Sequence, residues 1–242
     1  MPSYYCVLSD DLLKTWVNFK NGTINDKNVL EKLLKYIKYP FLAHFDTNSL
    51  LQISEPSLKQ AILSTYPRIR DINLEELANN TLYKIIFNNE NLNNPPYFDI
   101  NSNKYLENNY VILLKPNDNR QYTYNYLKLL LSEAKEIFIH DKYFSNSQNL
   151  NTSMYFIRNC LPQHKLNIFY TSSTFNQSII SRIKNFYSEW NIKLDRNNVS
   201  INNKSHDRYL RIDNKLEIIL SSGFDGLFSN DNESALIIRE LK

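Results

Sequence analysis

Glu136-Ile-Phe-Ile-His-Asp141 is the stretch that decides the fold class, because its apolar residues follow one another without alternation. Such a run predicts a short strand that is covered on both faces. Two further predicted strands lie on either side of it in the chain, the continuous apolar run Tyr110-Val-Ile-Leu-Leu114 and the segment Lys165-Leu-Asn-Ile-Phe-Tyr170. Segments at about 126–134, 154–161 and 179–187 carry apolar residues at helical spacing. Strand and helix alternate, which predicts an α/β layer with mostly parallel strands.

The last 50 residues are organised differently, with predicted strands at about 192–195, 206–212, 216–221 and 235–241. These strands follow one another closely, without helices between them. Together with the parallel strands of the preceding strand–helix units, they predict a mixed sheet. We therefore expect an α/β domain over residues 106–242, with a mixed sheet flanked by helices.

Residues 1–105 predict a separate, mainly helical α+β unit. Apolar spacing indicates helices after Asp10, over 29–37, and at about 57–65 and 74–87, and short strands at 4–8 and 41–49. The segment 88–103, which includes Pro95-Pro96, has the composition of a loop and marks the boundary between the units.

Composition excludes some classes of protein. The 242 residues include only three Gly, and no glycine-rich nucleotide-binding loop is present. A net charge of +3 is too small to indicate a nucleic-acid partner by itself. Cys6 and Cys160 lie far apart in the sequence and predict buried thiols, with a disulfide or a metal site as the alternatives.

Targeting and metal signals are missing from the sequence. The N-terminus has no basic stretch followed by an apolar one, and no run reaches the roughly 18 apolar residues of a membrane span, so we expect a cytoplasmic protein. The histidines lack metal-ligand spacing, so neither a metal nor a cofactor is expected.

The segment from His206 to Asp213 carries the most informative pattern, H-x-R-x-x-x-x-D on a predicted strand. Alternation places His206 and Arg208 on one face of that strand. An imidazole can act as nucleophile or acid, and a guanidinium grips two phosphate oxygens at once. A structural or merely exposed pair is the alternative, and Asp213 is either the Asp of the pattern or a turn residue.

Two neighbouring segments add weight to that pattern. The strand at 136–140 ends in His140-Asp141-Lys-Tyr143, and the strand at 216–221 ends in Ser221-Ser222-Gly-Phe-Asp225. The two serine hydroxyls either donate to phosphate or satisfy the strand end. His140 ends a central strand near the expected cleft and is a candidate for supporting the residues that contact phosphate.

These residues resemble the phospholipase D-like superfamily, whose motif is His-x-Lys-x-x-x-x-Asp followed by a strand and a small-residue element. The similarity is greatest to the phospholipase D-like C-terminal domain of MIT-domain proteins, which carries His-Asp-Arg on a strand and a Gly-Leu-Asp-aromatic turn after the next strand. His206-Asp-Arg208 and Gly223-Phe-Asp225 match those elements, and Asp141-Lys-Tyr143 matches the family's Asp-Pro-Tyr element. The resemblance covers residues 106–242 and implies a central, phosphate-facing cleft.

The resemblance also implies roles for individual residues. In active members of the superfamily two motifs pair; one His attacks phosphorus to give a phosphohistidine and the other protonates the leaving oxygen. This chain has one motif, so such chemistry implies a homodimer. The implied catalytic residues are His206, Arg208 and Asp213; the phosphate-binding residues are Arg208, Ser221 and Ser222; the supporting residues are His140, Asp141, Tyr143 and Asp225.

Two hypotheses follow. The first is a metal-independent phosphodiesterase, a nuclease of a bacterial defence or toxin type. The second is a non-catalytic phosphate-recognition module, favoured by Arg208 in place of Lys and by the MIT-associated domains, which are regarded as binding modules. Nucleic acid is the expected partner, followed by a second copy or a protein partner bound through residues 1–105, and membrane head groups come last.

Overall fold

The computed structural model describes residues 4–44, 53–57, 59–60, 72–102, 106, 110–146, 150–195, 208–229 and 231–241. The chain forms two compact units, Met1–Lys104 and Tyr105–Lys242. Cys6 and Cys160 are buried free thiols, one in each unit.

The first unit is a parallel four-stranded sheet with helices. Its elements are β1 (Val7–Leu8), α1 (Asp10–Lys20), α2 (Lys27–Tyr36), β2 (Leu42–Ala43), α3 (Leu74–Asn79), β3 (Ile86–Asn88) and β4 (Tyr97–Asp99). The strand order is β2-β1-β3-β4, and every pair is parallel. Val7, Leu42, Leu77, Ala78 and Ile86 form a buried cluster that joins three of the strands to α3.

Two predictions for this unit are wrong. The helix expected at 74–87 ends at Asn79, after which the chain turns through Lys84 at φ +49° and enters β3. The boundary loop expected at 88–103 contains β4, which pairs with β3. The helix expected at 57–65 and the second half of the strand expected at 41–49 lie largely outside the described residues.

The second unit has the α/β class and the mixed sheet that the sequence predicts. Its elements are β5 (Val111–Leu114), α4 (Gln121–Leu131), β6 (Glu136–His140), a 3₁₀ turn (Phe144–Asn146), α5 (Leu150–Cys160), β7 (Leu166–Tyr170), α6 (Gln177–Lys184), β8 (Trp190–Leu194), β9 (Arg208–Ile212), β10 (Leu216–Leu220), α7 (Gly223–Leu227) and β11 (Ser234–Glu240). The strand order is β5-β11-β10-β9-β6-β7-β8.

Strand directions and crossovers place the helices of this unit in one layer. β5, β10, β6, β7 and β8 run one way, and β11 and β9 run the other way. The crossovers that carry α4, α5 and α6 all proceed across the sheet in the same direction, and right-handed crossovers of one direction lie on one face. α5 packs against α4, α6 and α7, as expected of a single layer.

The opposite face of the sheet carries an ion-paired triad. Glu217 on β10 is 1% exposed and lies opposite Arg211 of β9 and Arg239 of β11 in the strand register. Its carboxylate accepts hydrogen bonds from Arg211 Nε at 2.7 Å and from Arg239 Nη2 at 2.6 Å. A buried carboxylate held by two guanidinium groups ties three adjacent strands together.

Candidate functional site

The candidate site lies at the edge of the seven-stranded sheet where β6 and β10 end and β9 begins. β9 is antiparallel to both neighbours, so Arg208 at its start pairs with Leu220 at the end of β10. The order of the strands reverses here, since β6 leads outward to β7 and β8 whereas β9 returns to the other side of β6. Clefts in α/β sheets form outside the carboxyl ends of strands at such reversal points.

Residues that directly follow the two neighbouring strands, β10 and β6, contact the Arg208 side chain. Its Nη1 donates a hydrogen bond to the Ser221 carbonyl at 2.8 Å, and its Nε lies 4.0 Å from Asp141 Oδ1. Nε makes no hydrogen bond to any described residue. The guanidinium carbon lies 5.2 Å from the centre of the Tyr143 ring, close enough for a cation–π contact. The side chain is 21% exposed, so the guanidinium is fixed but still reachable.

Asp141 is the buried centre of this cluster. It accepts hydrogen bonds from the backbone N–H of Tyr143 at 2.9 Å and of Phe224 at 3.2 Å. Burial raises the pKa of Asp141, whereas the two backbone donors and the nearby Arg208 oppose that rise. The carboxylate therefore links the end of β6, the turn after β10 and the start of β9.

Gly223 allows that link, because any side chain at this position would collide with it. Its φ is +83°, and a Cβ added here would lie 2.9 Å from Asp141 Oδ2 and 3.0 Å from Asp225 Oδ1. Both the backbone conformation and the space therefore require glycine. Asp225 itself accepts a hydrogen bond from the Gly226 N–H at 3.0 Å.

His140 is fully buried and joins a row of hydroxyl groups at the end of β7. Its Nδ1 lies 2.8 Å from Thr171 Oγ1, which lies 2.8 Å from Thr174 Oγ1. Thr174 Oγ1 in turn accepts from the Asp141 N–H at 3.0 Å. The two threonine hydroxyls therefore connect the His140 ring to the backbone N–H of Asp141.

The environment of His140 favours the neutral ring. Burial, followed by the positive charges of Lys142, Arg208 and Arg211, lowers the pKa of His140. Nε2 is buried and has no hydrogen-bond partner among the described residues. His140 thus supports the backbone at Asp141 through the threonine hydroxyls.

The structure brings most of the predicted site residues together. His140, Asp141, Tyr143, Arg208 and the Ser221 backbone form the cluster described above. The serine side chains turn toward β11: Ser221 Oγ accepts from the Ala235 N–H at 2.8 Å, and Ser222 Oγ lies 2.7 Å from Ser234 Oγ. These contacts match the alternative reading, in which the hydroxyl groups satisfy the strand end.

Asp213 does not lie in the cluster. It follows the far end of β9, about 16 Å from Arg208 at the usual rise per residue. Its Oδ1 accepts from the backbone N–H of Lys135 at 2.9 Å and of Glu136 at 2.8 Å, and its φ is +50°. This position matches the alternative reading of Asp213 as a turn residue, which here anchors the start of β6, and its catalytic role stays a prediction. His206 lies outside the described residues.

Sequence reasoning missed Thr171 and Thr174. The available signal was Thr171-Ser-Ser-Thr174 directly after β7, because the carboxyl ends of neighbouring parallel strands meet at one edge of a sheet. Within the described ranges, no group of three or more His, Cys, Asp or Glu residues is placed to hold a metal ion.

Neither a protein-family model nor a curated protein matches the chain. Among the helices that the structure describes, none is both long enough and apolar enough to cross a membrane.

Proposed function

We propose that the second unit is a phospholipase D-like module that binds a phosphoryl group of a phosphodiester at Arg208. The observation that carries this proposal is the setting of the guanidinium. It is fixed by the Ser221 carbonyl and faced by the Tyr143 ring, and its side chain remains 21% exposed. A fixed planar cation that is still partly exposed suits phosphate oxygens.

Charge and position support the same proposal. Asp141 lies 4.0 Å from Arg208 Nε, beyond hydrogen-bond distance, so it orients the guanidinium without taking up its donors. Lys142 Nζ lies 4.9 Å from the centre of the same Tyr143 ring, which adds a second positive charge to the edge. The favoured ligand is nucleic acid, whose backbone offers a row of phosphates to such an edge.

A second candidate function adds catalysis to this binding site, and His206, two positions before Arg208, is the observation that favours it. In that case one His206 of a homodimer attacks phosphorus and forms an N–P bond as the P–O bond to the leaving group breaks. The partner's His206 donates a proton to the leaving oxygen. Water then hydrolyses the phosphohistidine and restores both histidines.

The test uses labelled single-stranded RNA, single-stranded DNA and duplex DNA, with and without EDTA, on the full chain. We expect Arg208→Gln to weaken binding roughly 10- to 100-fold, the usual effect of losing a charge-assisted hydrogen bond. Arg182→Gln, which removes an exposed charge from α6, is the matched control and should bind as the wild type does. Equal binding by both variants would remove Arg208 from the site.

The same experiment separates the two candidate functions. EDTA-resistant cleavage that disappears in His206→Ala establishes the phosphodiesterase, and the native mass then tests the homodimer. Binding without cleavage of any substrate leaves the recognition module.

A further inference from the structure

The face of the seven-stranded sheet that lies opposite the helix layer carries a row of charged and aromatic side chains. Along β11, buried residues alternate with accessible ones, and Ile237 and Arg239 are exposed. Such alternation is typical of a sheet with one face packed and the other in contact with solvent. This face is therefore accessible to a ligand at β11.

Six side chains on this face form one row, because each lies directly opposite the next in the strand register. From β11 to β8 the members of the row are Arg239, Glu217, Arg211, Phe138, Phe169 and Lys193. Five steps of about 4.8 Å between neighbouring strands make the row about 24 Å long. Three members are cations and one is an anion, so the row has an excess of positive charge.

The carboxylate of the row leaves several of the surrounding donors unused. Buried Glu217 accepts from Arg211 Nε and from Arg239 Nε and Nη2. Within the part of the chain that the structure describes, the two Nη groups of Arg211 and the Nζ of Lys193 make no hydrogen bond. Lys193 is exposed, and the Nη groups of Arg211 are not closed off from solvent. These donors can therefore reach an anion.

Two further carboxylates lie beside the row rather than in it. Glu136 precedes Phe138 by two positions on β6, and its Oε1 accepts a hydrogen bond from Asn214 Nδ2 at 2.8 Å. Asp195 follows Lys193 by two positions, just after the end of β8. Positive charge is thus concentrated along the row itself, which favours a ligand whose negative charges are arranged in a line.

Arg211 is held in a defined plane near the centre of the row. Its Nε donates to Glu217 at 2.7 Å, and its guanidinium carbon lies 5.3 Å from the centre of the Phe138 ring. Lys193 Nζ lies 5.9 Å from the centre of the Phe169 ring. Unpaired bases stack on arginine planes and on aromatic rings, whereas the bases of a duplex are already stacked on one another. The row therefore suits a strand with unpaired bases.

The row also lies close to the proposed phosphate site. Arg211 and Arg208 belong to the same strand and are three residues apart, about 10 Å at the usual rise. Arg208 lies at the edge of the sheet, so a ligand that contacts both arginines must turn from the edge onto the face. Duplex DNA, with a persistence length of about 50 nm, is too stiff for such a turn. A single strand is not.

We propose that this row binds a single-stranded nucleic acid. Its phosphates contact Lys193 and Arg239, and an unpaired base stacks on the Arg211 guanidinium. The inference rests on the proposed function for the choice of nucleic acid as the ligand, and it adds the preference for a single strand and the path of that strand. From the row, the strand continues over the edge of the sheet to Arg208.

The test is fluorescence anisotropy of the full chain with a labelled single strand of about 12 nucleotides and with its duplex, over a range of salt concentrations. We expect the single strand to bind roughly tenfold more tightly, because base stacking contributes about that factor. Lys193→Gln should make the slope of log K against log salt shallower by about 0.7, the contribution of one phosphate contact in a single strand. Lys184→Gln, which removes an exposed lysine from the end of α6 in the helix layer, is the matched control and should leave the slope unchanged.

Arg211→Lys separates stacking from charge. This variant keeps the positive charge but loses the planar group, so the single strand should bind roughly tenfold more weakly while the salt slope stays the same. Equal affinity of the variant and the wild type would refute the stacking on Arg211. If Arg211→Lys fails to fold, Lys193→Gln, on an exposed side chain, still decides.

Other outcomes also decide. Duplex binding as tight as single-strand binding would overturn the inference, and so would a salt slope in Lys193→Gln equal to that in Lys184→Gln. Binding that weakens in Arg208→Gln but not in Lys193→Gln or Arg211→Lys would confine the nucleic acid to the edge of the sheet, which supports the proposed function and refutes this inference. The reverse result would keep the row as the binding site and refute the proposed role of Arg208. Absence of binding to either nucleic acid would refute both.

Discussion

Replacing Gly223 with alanine tests the geometry of the Arg208 site most directly. A residue with a Cβ at φ +83° is strained by about 1–2 kcal/mol. The new Cβ would also lie 2.9 Å from Asp141 Oδ2 and 3.0 Å from Asp225 Oδ1, and overpacking of this kind costs about 1–3 kcal/mol. We therefore expect Gly223→Ala to lower the free energy of unfolding of the second unit by about 2–5 kcal/mol.

Gly22 offers a matched control for the backbone term. Its φ is +81°, and an added Cβ would meet nothing within 4 Å. Gly22→Ala should therefore lower the stability of the first unit by the backbone term alone, about 1–2 kcal/mol. The difference between the two variants isolates the close approach of Asp141 and Asp225.

Native-state hydrogen exchange measures both effects in one experiment, because each unit reports through its own amides. The slowest amides of β6 and β10 should exchange roughly 30-fold faster or more in Gly223→Ala. Those of β1 and α1 should change less in Gly22→Ala. If the two accelerations are equal, the carboxylates do not crowd Gly223, and the account of the Asp141 cluster given above is wrong.

Three further predictions concern the residues that support the sheet. Glu217→Gln should lower the free energy of unfolding by about 2–3 kcal/mol in urea, less than a fully buried pair because Arg239 is 58% exposed; an unchanged midpoint would contradict this. Burial lowers the pKa of His140, so below pH 6.5 the unfolded chain binds a proton at this residue and the folded chain does not. The free energy of unfolding should therefore fall by at most about 1.4 kcal/mol per pH unit, until the pH reaches the pKa of the folded state. His140→Gln should flatten that slope, and an identical slope in both proteins would rule the residue out. Asp213→Ala should cost about 1–3 kcal/mol through two lost backbone bonds, while Asp213→Asn keeps both; phosphate binding that falls in a stably folded Asp213→Ala protein would instead give Asp213 a role in the phosphate site.

Local pattern predicts β5 and β6 well because each contains a run of consecutive apolar residues. β6 and β7 fall where the sequence predicts strands, and their polar ends meet at one edge as parallel strands must. The first unit is harder, since β3 has only three residues and the apolar positions before it fit a helix. Pairing with β1 and β4 decides the outcome there, and no local signal records that pairing.

The site was only partly predictable for a similar reason. The motif at 206–213 suggests that Arg208 and Asp213 act together, but four strand residues separate them and place them at opposite ends of β9. Elsewhere in the unit, the buried Arg120 gives no signal at all, because a buried arginine and a surface arginine look alike in sequence. Its burial depends on the carbonyls of Lys115 and Asn232, which only the folded chain brings to it.

Because β5 pairs with β11, the two strands of this pair are synthesised far apart in time. β5 comes first in the chain of the unit, but the strand it pairs with in the described structure is β11, more than a hundred residues later. During synthesis the first strand must therefore wait, unpaired, until the ribosome has released the last one. A nascent chain stopped before Ser234 would expose the apolar edges of both β5 and β10, and it is then, rather than after completion, that the protein most needs protection from aggregation.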